Sequence, residues 1–218
     1  MRDYIFLDIG FSNYKEVWDL QKNLHEKRVK GEIPDIIIFT EHNHVYTLGK
    51  RGEEKNFKIS PSFLKQMGIE IFRVERGGDV TYHGPGQIVG YLIFYIDIGI
   101  KKFVNNIEES IIKMLKEYGI NGEKNEKNPG VWVNDEKICS IGIAVKKFVS
   151  FHGFALNVNT DLRYFDYIFP CGLQKKVTSM EKIIGKKINM EEVKNKLKSC
   201  LESIFSLKEV QLQSKLEI

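Results

Sequence analysis

Cysteine, proline and long apolar runs are all scarce in this 218-residue sequence, and each scarcity excludes a class of protein. The three cysteines, Cys139, Cys171 and Cys200, are odd in number and scattered, with no C-x-x-C pair. Such a set makes neither a disulfide framework nor a thiolate zinc site, and it fits a reducing compartment. No apolar stretch is long enough for a signal peptide or a membrane span, because charges stand at Arg2 and Asp3 and return from Asp8 onward. A cytoplasmic protein with no membrane partner is therefore expected. Charge of one sign is also in short supply, since 33 basic and 29 acidic residues leave a net +4. That balance excludes a polycationic nucleic-acid arm and a charged disordered tail, and no nucleic-acid partner is expected. No Pro/Gly/Ser-rich linker divides the chain and no internal repeat is visible. A hydrophobic content of 42% suffices for a core at this length, so residues 1–218 are expected to form one domain.

What is present is an interleaving of strand and helix patterns. DYIFLDI from Asp3 reads as a strand, and a helix follows Asn13, which with Glu16 makes a capping-box signature. The apolar face of that helix is Tyr14, Val17, Trp18 and Leu24. DIIIFTE from Asp35 and IVGYLIFYI from Ile88 are apolar without alternation, as in central strands covered on both faces. Ser60-Pro61 opens a short helix to Met67, and IEIFRVE from Ile69 is a further strand. Val104, Ile107, Ile111, Leu115 and Tyr118 recur at helical spacing up to a capping Gly119. VWVNDEKICSIGIAV reads as a hairpin turning at Asn134-Asp135, HGFALNVN from His152 as a strand, and Asn189 with Glu192 caps a last helix bearing Val193, Leu197, Leu201 and Ile204. The expected class is α/β (α+β), a mixed β-sheet flanked by helices; the hairpin argues against a purely parallel doubly wound sheet.

Between two of these strands lies RGGDVTYHGPGQ, residues 76–87, with four glycines and a proline. Glycines at this density imply positive φ or a main chain approached closely by something bulky. Gly84, Gly86 and Gly90 are spaced G-x-G-x-x-x-G and precede a strand, so the dinucleotide fingerprint is absent. Arg76, Thr81, Tyr82 and His83 within the loop suit a ligand wall. Glu41, His42 and His44 are too closely spaced for a helix-face metal site and lack further ligands, so no metal is expected.

Cys171 stands between Pro170 and Gly172, outside any apolar periodicity, whereas Cys200 falls on a helix's apolar face and Cys139 within a strand. A thiol of ordinary pKa near 8.5 is a few per cent thiolate at neutral pH unless a cation lowers it. Lys137 and His83 are the candidate cations. Cys139 follows Lys137 by two residues, so plain strand alternation puts both on one face and leaves Cys139 as a competing nucleophile.

In chain order, RGGDVTYHGPGQ, KICSIG, SFHGFALNVN and IFPCG followed by Val177-Thr178-Ser179 resemble the bacterial lipoyl(octanoyl) transferase (LipB) family, from about Glu41 to Met180. The resemblance implies the fold of biotin and lipoate ligases and of class II synthetase catalytic cores. It further implies transfer of an octanoyl group from octanoyl-acyl carrier protein to a lysine ε-amine of lipoyl domains, in the E2 subunits of 2-oxoacid dehydrogenases and the glycine-cleavage H protein. By this likeness Cys171 is the acyl-thioester nucleophile and Lys137 lowers its pKa. The substrate-contacting residues implied are Arg76, Gly77, Gly78, Asp79, Val80, Thr81, Tyr82 and His83, then Ser140, Ile141 and Gly142, then Gly153, Phe154 and Ala155. Phe154, Ile141 and Tyr82 are candidates to line the acyl tunnel. His152 is expected at the pocket wall, and Lys50, Arg51, Lys146 and Lys147 are expected to meet acidic carriers. No cofactor is implied, because the donor thioester is already activated. After acylation, a deprotonated Lys137 is a candidate to accept the proton of the incoming amine. Two other readings remain at this level: an ATP-dependent lipoate or biotin ligase, which needs no cysteine, and a non-catalytic module that binds lipoyl domains.

Overall fold

The computed structural model describes residues 1–126, 128–169 and 176–211. Two sheets form its frame. The larger has eight strands in the order β11-β1-β2-β6-β10-β9-β8-β7, where β1 is Arg2–Ser12, β2 Asp35–His42, β6 Gln87–Ile93, β7 Glu123–Lys124, β8 Gly130–Val133, β9 Glu136–Lys146, β10 Val149–Asn157 and β11 Leu207–Glu209. β11, β1 and β2 run parallel, and β6, β10, β9, β8 and β7 continue antiparallel, so the sheet is mixed as expected. The smaller sheet is β4-β3-β5, built from Glu70–Arg73, Val45–Leu48 and Val80–His83.

The apolar strands run continuously because both faces of the large sheet are covered. In β2, Ile37 and Phe39 face one core while Ile36 and Ile38 face the other; in β6, Ile88 and Leu92 oppose Val89, Tyr91 and Ile93. One face carries α3 (Ile100–Lys116) and α5 (Met190–Phe205), which bury Phe103, Ile107, Ile111, Met114, Val193, Leu197 and Leu201. The other face receives α1 (Tyr14–Val29) through Val17 and Leu24. Each fully buried aliphatic or aromatic side chain contributes about 1.5–3 kcal/mol. The short helices α2 (Pro61–Gln66) and α4 (Met180–Ile184) complete the layers.

The helix starts follow from their caps. The Asn13 side chain accepts from the backbone N–H groups of Lys15 and Glu16, Ser60 Oγ accepts from Phe63 N, and Asn189 accepts from Glu192 N. By contrast, α3 begins at Ile100, earlier than its periodicity indicates, because its N-cap Gly99 offers no side chain to mark the start. Asn134 and Asp135 both have positive φ, so the β8–β9 hairpin turns as read.

Three local features depart from the sequence reading. Residues 76–87 are not all loop, since Val80–His83 pairs with Val45–Leu48, a strand too short for alternation to register. A second tight turn, with positive φ at Lys147 and Phe148, joins β9 to β10 without the usual Asn or Gly. Finally, Trp132 pairs with Lys137 and Val131 with Cys139, so Ile138 is an extra residue that breaks the alternation of β9.

Candidate active site

That break decides where Lys137 and Cys139 face. Ile138 and Cys139 are both fully buried among the residues under α3, whereas Lys137 lines a cavity on the opposite side together with Ser140, an odd number of residues away. The expectation that Lys137 and Cys139 share a face is thereby corrected. Burial pushes the Cys139 thiol far above its ordinary pKa, which removes it as a nucleophile. Cys200 is likewise buried, with its thiol pushed up by desolvation. Cys171 lies outside the described residues. The chain on its C-terminal side is held against Lys137: Lys137 N donates to Lys176 O at 2.9 Å, and Thr178 N donates to Lys137 O at 3.0 Å. On its N-terminal side, Phe169 N donates to Asn56 O at 2.7 Å.

The cavity measures about 160 Å³. It admits an acyl group and not a protein domain, so macromolecular substrates must dock outside it. Of the residues singled out in the sequence, Arg76, Gly77, Gly78, Asp79, Val80, Thr81, His83, Lys137, Ser140, Ile141, Gly142, His152, Gly153, Phe154 and Ala155 all line it, and Arg51 stands at its wall. Tyr82 does not. Its ring is fully buried, stacks on Tyr164 with centroids 5.0 Å apart, and its hydroxyl meets His44 Nδ1 at 2.7 Å. On β5 it points into the core of the small sheet while Thr81 and His83 turn to the cavity, so it is removed from the acyl lining.

Each wall is built by packing and hydrogen bonds. Arg76 is 8% exposed; its Nε donates to Thr47 Oγ1, its Nη2 to Thr47 O and its Nη1 to Gly77 O, so the guanidinium pins the glycine loop to β3. Burial lowers its pKa to about 10, which leaves it charged at neutral pH. Asp79 accepts from Asn56 Nδ2 at 2.7 Å and from Val80 N at 2.6 Å, holding the next turn. Lys137 Nζ donates to Pro129 O at 3.0 Å and lies 4.8 Å from the centre of the Trp132 ring. Gly130 makes room for it, because a Cβ there would lie 3.2 Å from Lys137 Nζ and 2.4 Å from Cys139 O, at a φ of +136°. Gly90 yields in the same way to Phe154, whose ring would come within 2.2 Å of a Cβ.

Histidines crowd one side. His42 Nδ1 donates to Ser12 O at 2.9 Å, so its Nε2 accepts from the Tyr91 hydroxyl at 2.7 Å, and burial lowers its pKa to about 4. His42 is thus a structural hydrogen bonder. His152 has a φ of +60° inside β10, an uncommon backbone for a non-glycine, and its Nε2 lies 3.4 Å from Glu75 Oε2. Desolvation lowers its pKa. Sequence reasoning missed Tyr14, Val89, Tyr91, Asn128, Pro129, Phe165 and Val177, which also line the cavity. Tyr14 and Tyr91 carry ordinary core periodicity; the available signals were the Asn-Pro-Gly turn at residues 128–130 and Val177, which stands in the motif block after IFPCG.

Comparison with known proteins agrees with this architecture. The lipoyl protein ligase A/B catalytic domain family matches residues 13–202. An octanoyltransferase of Dictyoglomus thermophilum is 56% identical over 192 residues, covering 88% of this chain and 82% of the relative. Among solved structures, a bi-partite lipoate protein ligase from Thermoplasma acidophilum superposes with a TM-score of 0.77 at 16% identity, covering 99% of this chain and 89% of the other. The biotin protein ligase of Aquifex aeolicus in complex with biotin and ATP gives 0.54 at 14% identity, covering 94% and 71%. Both structures share the fold: a mixed sheet flanked by helices. The chain belongs to the lipoyl protein ligase A/B family and, within it, to the octanoyltransferases.

Proposed function

We propose that this protein is the acyltransferase of lipoate biosynthesis that moves an octanoyl group from octanoyl-acyl carrier protein to a lysine ε-amine of lipoyl domains, on E2 subunits and the H protein. The observation that carries the reading is that the separated blocks around Arg76–His83, Lys137–Gly142 and Gly153–Ala155 converge on one cavity, in a chain 56% identical to an octanoyltransferase. Cys171 takes the acyl group as a thioester, and Lys137 stabilises the thiolate. This assignment draws support from the backbone bonds that tie Lys176 and Thr178 to Lys137, five and seven residues beyond Cys171, and from the burial of Cys139. The working compartment is the cytoplasm.

The energetics suit this route. Exchange of one thioester for another is nearly neutral, and amide formation is downhill, so no ATP is consumed. Splitting the transfer into two half-reactions lets each carrier dock and leave in turn, which gives ping-pong kinetics. Backbone N–H groups of the glycine-bracketed loops are the natural donors to the developing oxyanion, and loss of one such donor typically costs about a hundredfold or more. Val89 and Ala155, on the face of the large sheet opposite Cys139, give the acyl chain an apolar wall, at about 0.8 kcal/mol per buried CH₂.

The test is mass spectrometry of the enzyme after incubation with octanoyl-acyl carrier protein without ATP, beside a Cys171→Ser variant. A hydroxylamine-labile octanoyl adduct on Cys171 that a lipoyl domain discharges is the expected result. An unlabelled enzyme, or transfer that requires ATP, overturns the proposal.

A further inference from the structure

The turn between β9 and β10 is built against its own residue preferences. Lys147 and Phe148 stand at its two central positions with φ of +52° and +63°, where Asn and Gly are the residues that fit. A left-handed backbone is disfavoured for a residue with an ordinary Cβ, and Phe148 adds a second cost, since it is 70% exposed at the apex. The conformation is enforced from below. His25 Nε2 donates to the carbonyl oxygens of Lys146 and Val149 at 3.2 Å each, and Ile96 N donates to Phe148 O at 2.7 Å. The phenyl ring is therefore held out on a fixed tip, with the exposed ring of Tyr95 beside it at 6.4 Å. Strain that the surroundings impose on a solvent-facing aromatic points to a role outside folding.

Apolar and cationic side chains gather around this tip. Two and four residues beyond Ile96 stand Ile98 and Ile100, both exposed, followed by the exposed Lys101 and Lys102 in the first turn of α3. The exposed Lys146 and Lys147 precede Phe148. The acid of this stretch, Asp97, is taken by Arg2 Nη2 at 2.7 Å, and no salt bridge among the described residues involves any of the four lysines. The patch is thus apolar at its points and positive between them. It also lies away from the cavity: on β9 and β10 the nearest cavity residues are Gly142 and His152, each four residues, or about 13 Å, from Lys146 and Phe148.

We propose that this tip is a peripheral contact for an anionic lipid surface. Charge selects a negative partner, and a second copy of this chain is disfavoured because a two-fold contact would set the lysines against themselves. The shape selects among negative partners. Phe148, Ile98 and Ile100 stand singly between lysines on a protruding turn, and a bilayer interface receives such protrusions without a matching pocket. The rings and aliphatic side chains enter below the headgroups while the lysines stay at the phosphates, each strengthening binding about fivefold. No described helix is long and apolar enough to cross a membrane, so the contact is one of surface only. It departs from the expectation of no membrane partner, which rests on the lack of a spanning segment.

Phe148→Gly is the discriminating variant, because glycine relieves a φ of +63° and removes the ring. The full chain is sedimented with phosphatidylcholine vesicles, with and without about one third phosphatidylglycerol, at low and at high salt. The expected result is binding to the anionic vesicles that weakens as salt rises. Phe148→Gly should bind them at least tenfold more weakly while its urea midpoint rises, and Lys146→Glu with Lys147→Glu should weaken binding about twentyfold or more. Octanoyl transfer between soluble carriers should stay within a few-fold of wild type in both variants. Wild-type protein that ignores anionic vesicles overturns the proposal, as does binding that Phe148→Gly leaves unchanged. A lowered urea midpoint in Phe148→Gly marks the ring as structural, a loss of transfer between soluble carriers marks the tip as a protein-docking surface, and a Phe148-dependent dimer without vesicles marks it as a self-contact; each of these overturns it too. Vesicle binding is read without substrate, so its outcome is independent of the transferase reading.

Discussion

Lys137 reaches the cavity by virtue of a neighbour with no side chain. Gly130 adopts a φ of +136°, and a methyl group there would press on Cys139 O and on the lysine's terminal atoms. Gly130 N also donates to the buried Glu108 carboxylate at 2.9 Å, so the backbone has little freedom to retreat. Gly130→Ala is expected to lose at least tenfold in transfer and about 1–3 kcal/mol of stability. Steady-state rates and urea unfolding of the purified variant check both numbers; an unchanged rate would mean that Lys137 tolerates displacement. At this scale the sequence was informative about residue types, not about directions. The thiol of Cys139 and the amine of Lys137 look alike in placement on an alternating strand, and the extra residue at Ile138 separates them. Tyr82 was misassigned for a related reason, since the partner that claims it, Tyr164, is 82 residues away.

Among the elements, the junction of β1, β2 and α1 is locked by one buried carboxylate. Asp35 is 1% exposed; Arg2 Nη1 donates to its Oδ2 at 3.0 Å, and Arg28 Nε and Tyr95 N donate to its Oδ1 at 2.8 and 2.9 Å. Removing the acid strands two guanidinium groups at the start of a central strand. Asp35→Ala should cost about 3–5 kcal/mol, read as a lower denaturation midpoint, while the rate of the folded fraction stays within a few-fold because the cavity lies elsewhere. A variant as stable as wild type would show that the ion pairs are solvated and idle. Long elements were legible because their periodicity or unbroken apolarity spans enough residues: β2, β6, α1 and α5 were read from the apolar runs 35–41 and 88–96, the second of which outruns its strand by three residues, and from the capped helices after Asn13 and Asn189. β3 and β5 have four residues each, too few for any period, and exist because they pair with one another.

Across the whole molecule, three histidines are held neutral inside the fold: His42 at about 4, His83 at about 3, and His152 below its ordinary value, each chiefly through burial. An unfolded chain protonates them near pH 6.5, so in the interval below that value it binds protons that the native state refuses. Stability is therefore full above about pH 6.5 and declines as the pH falls, by about 1.4 kcal/mol per pH unit for each histidine, until His42 and His83 titrate in the native state near 4 and 3. Urea midpoints measured between about pH 7.5 and about pH 4.5 should drop steadily, and a His42→Phe variant should drop less steeply. A flat profile would contradict neutral burial of these rings. The chain by itself determined its class, its main strands and helices, its family and most of the motif residues around the cavity, because these depend on local periodicity, caps and contiguous motifs. Tertiary structure decided which motif residues face inward together, that Cys139 belongs to the core, and that Tyr82 packs into the small sheet. Those outcomes depend on a bulge and a short strand pair, contacts between residues apart in sequence that no local pattern encodes.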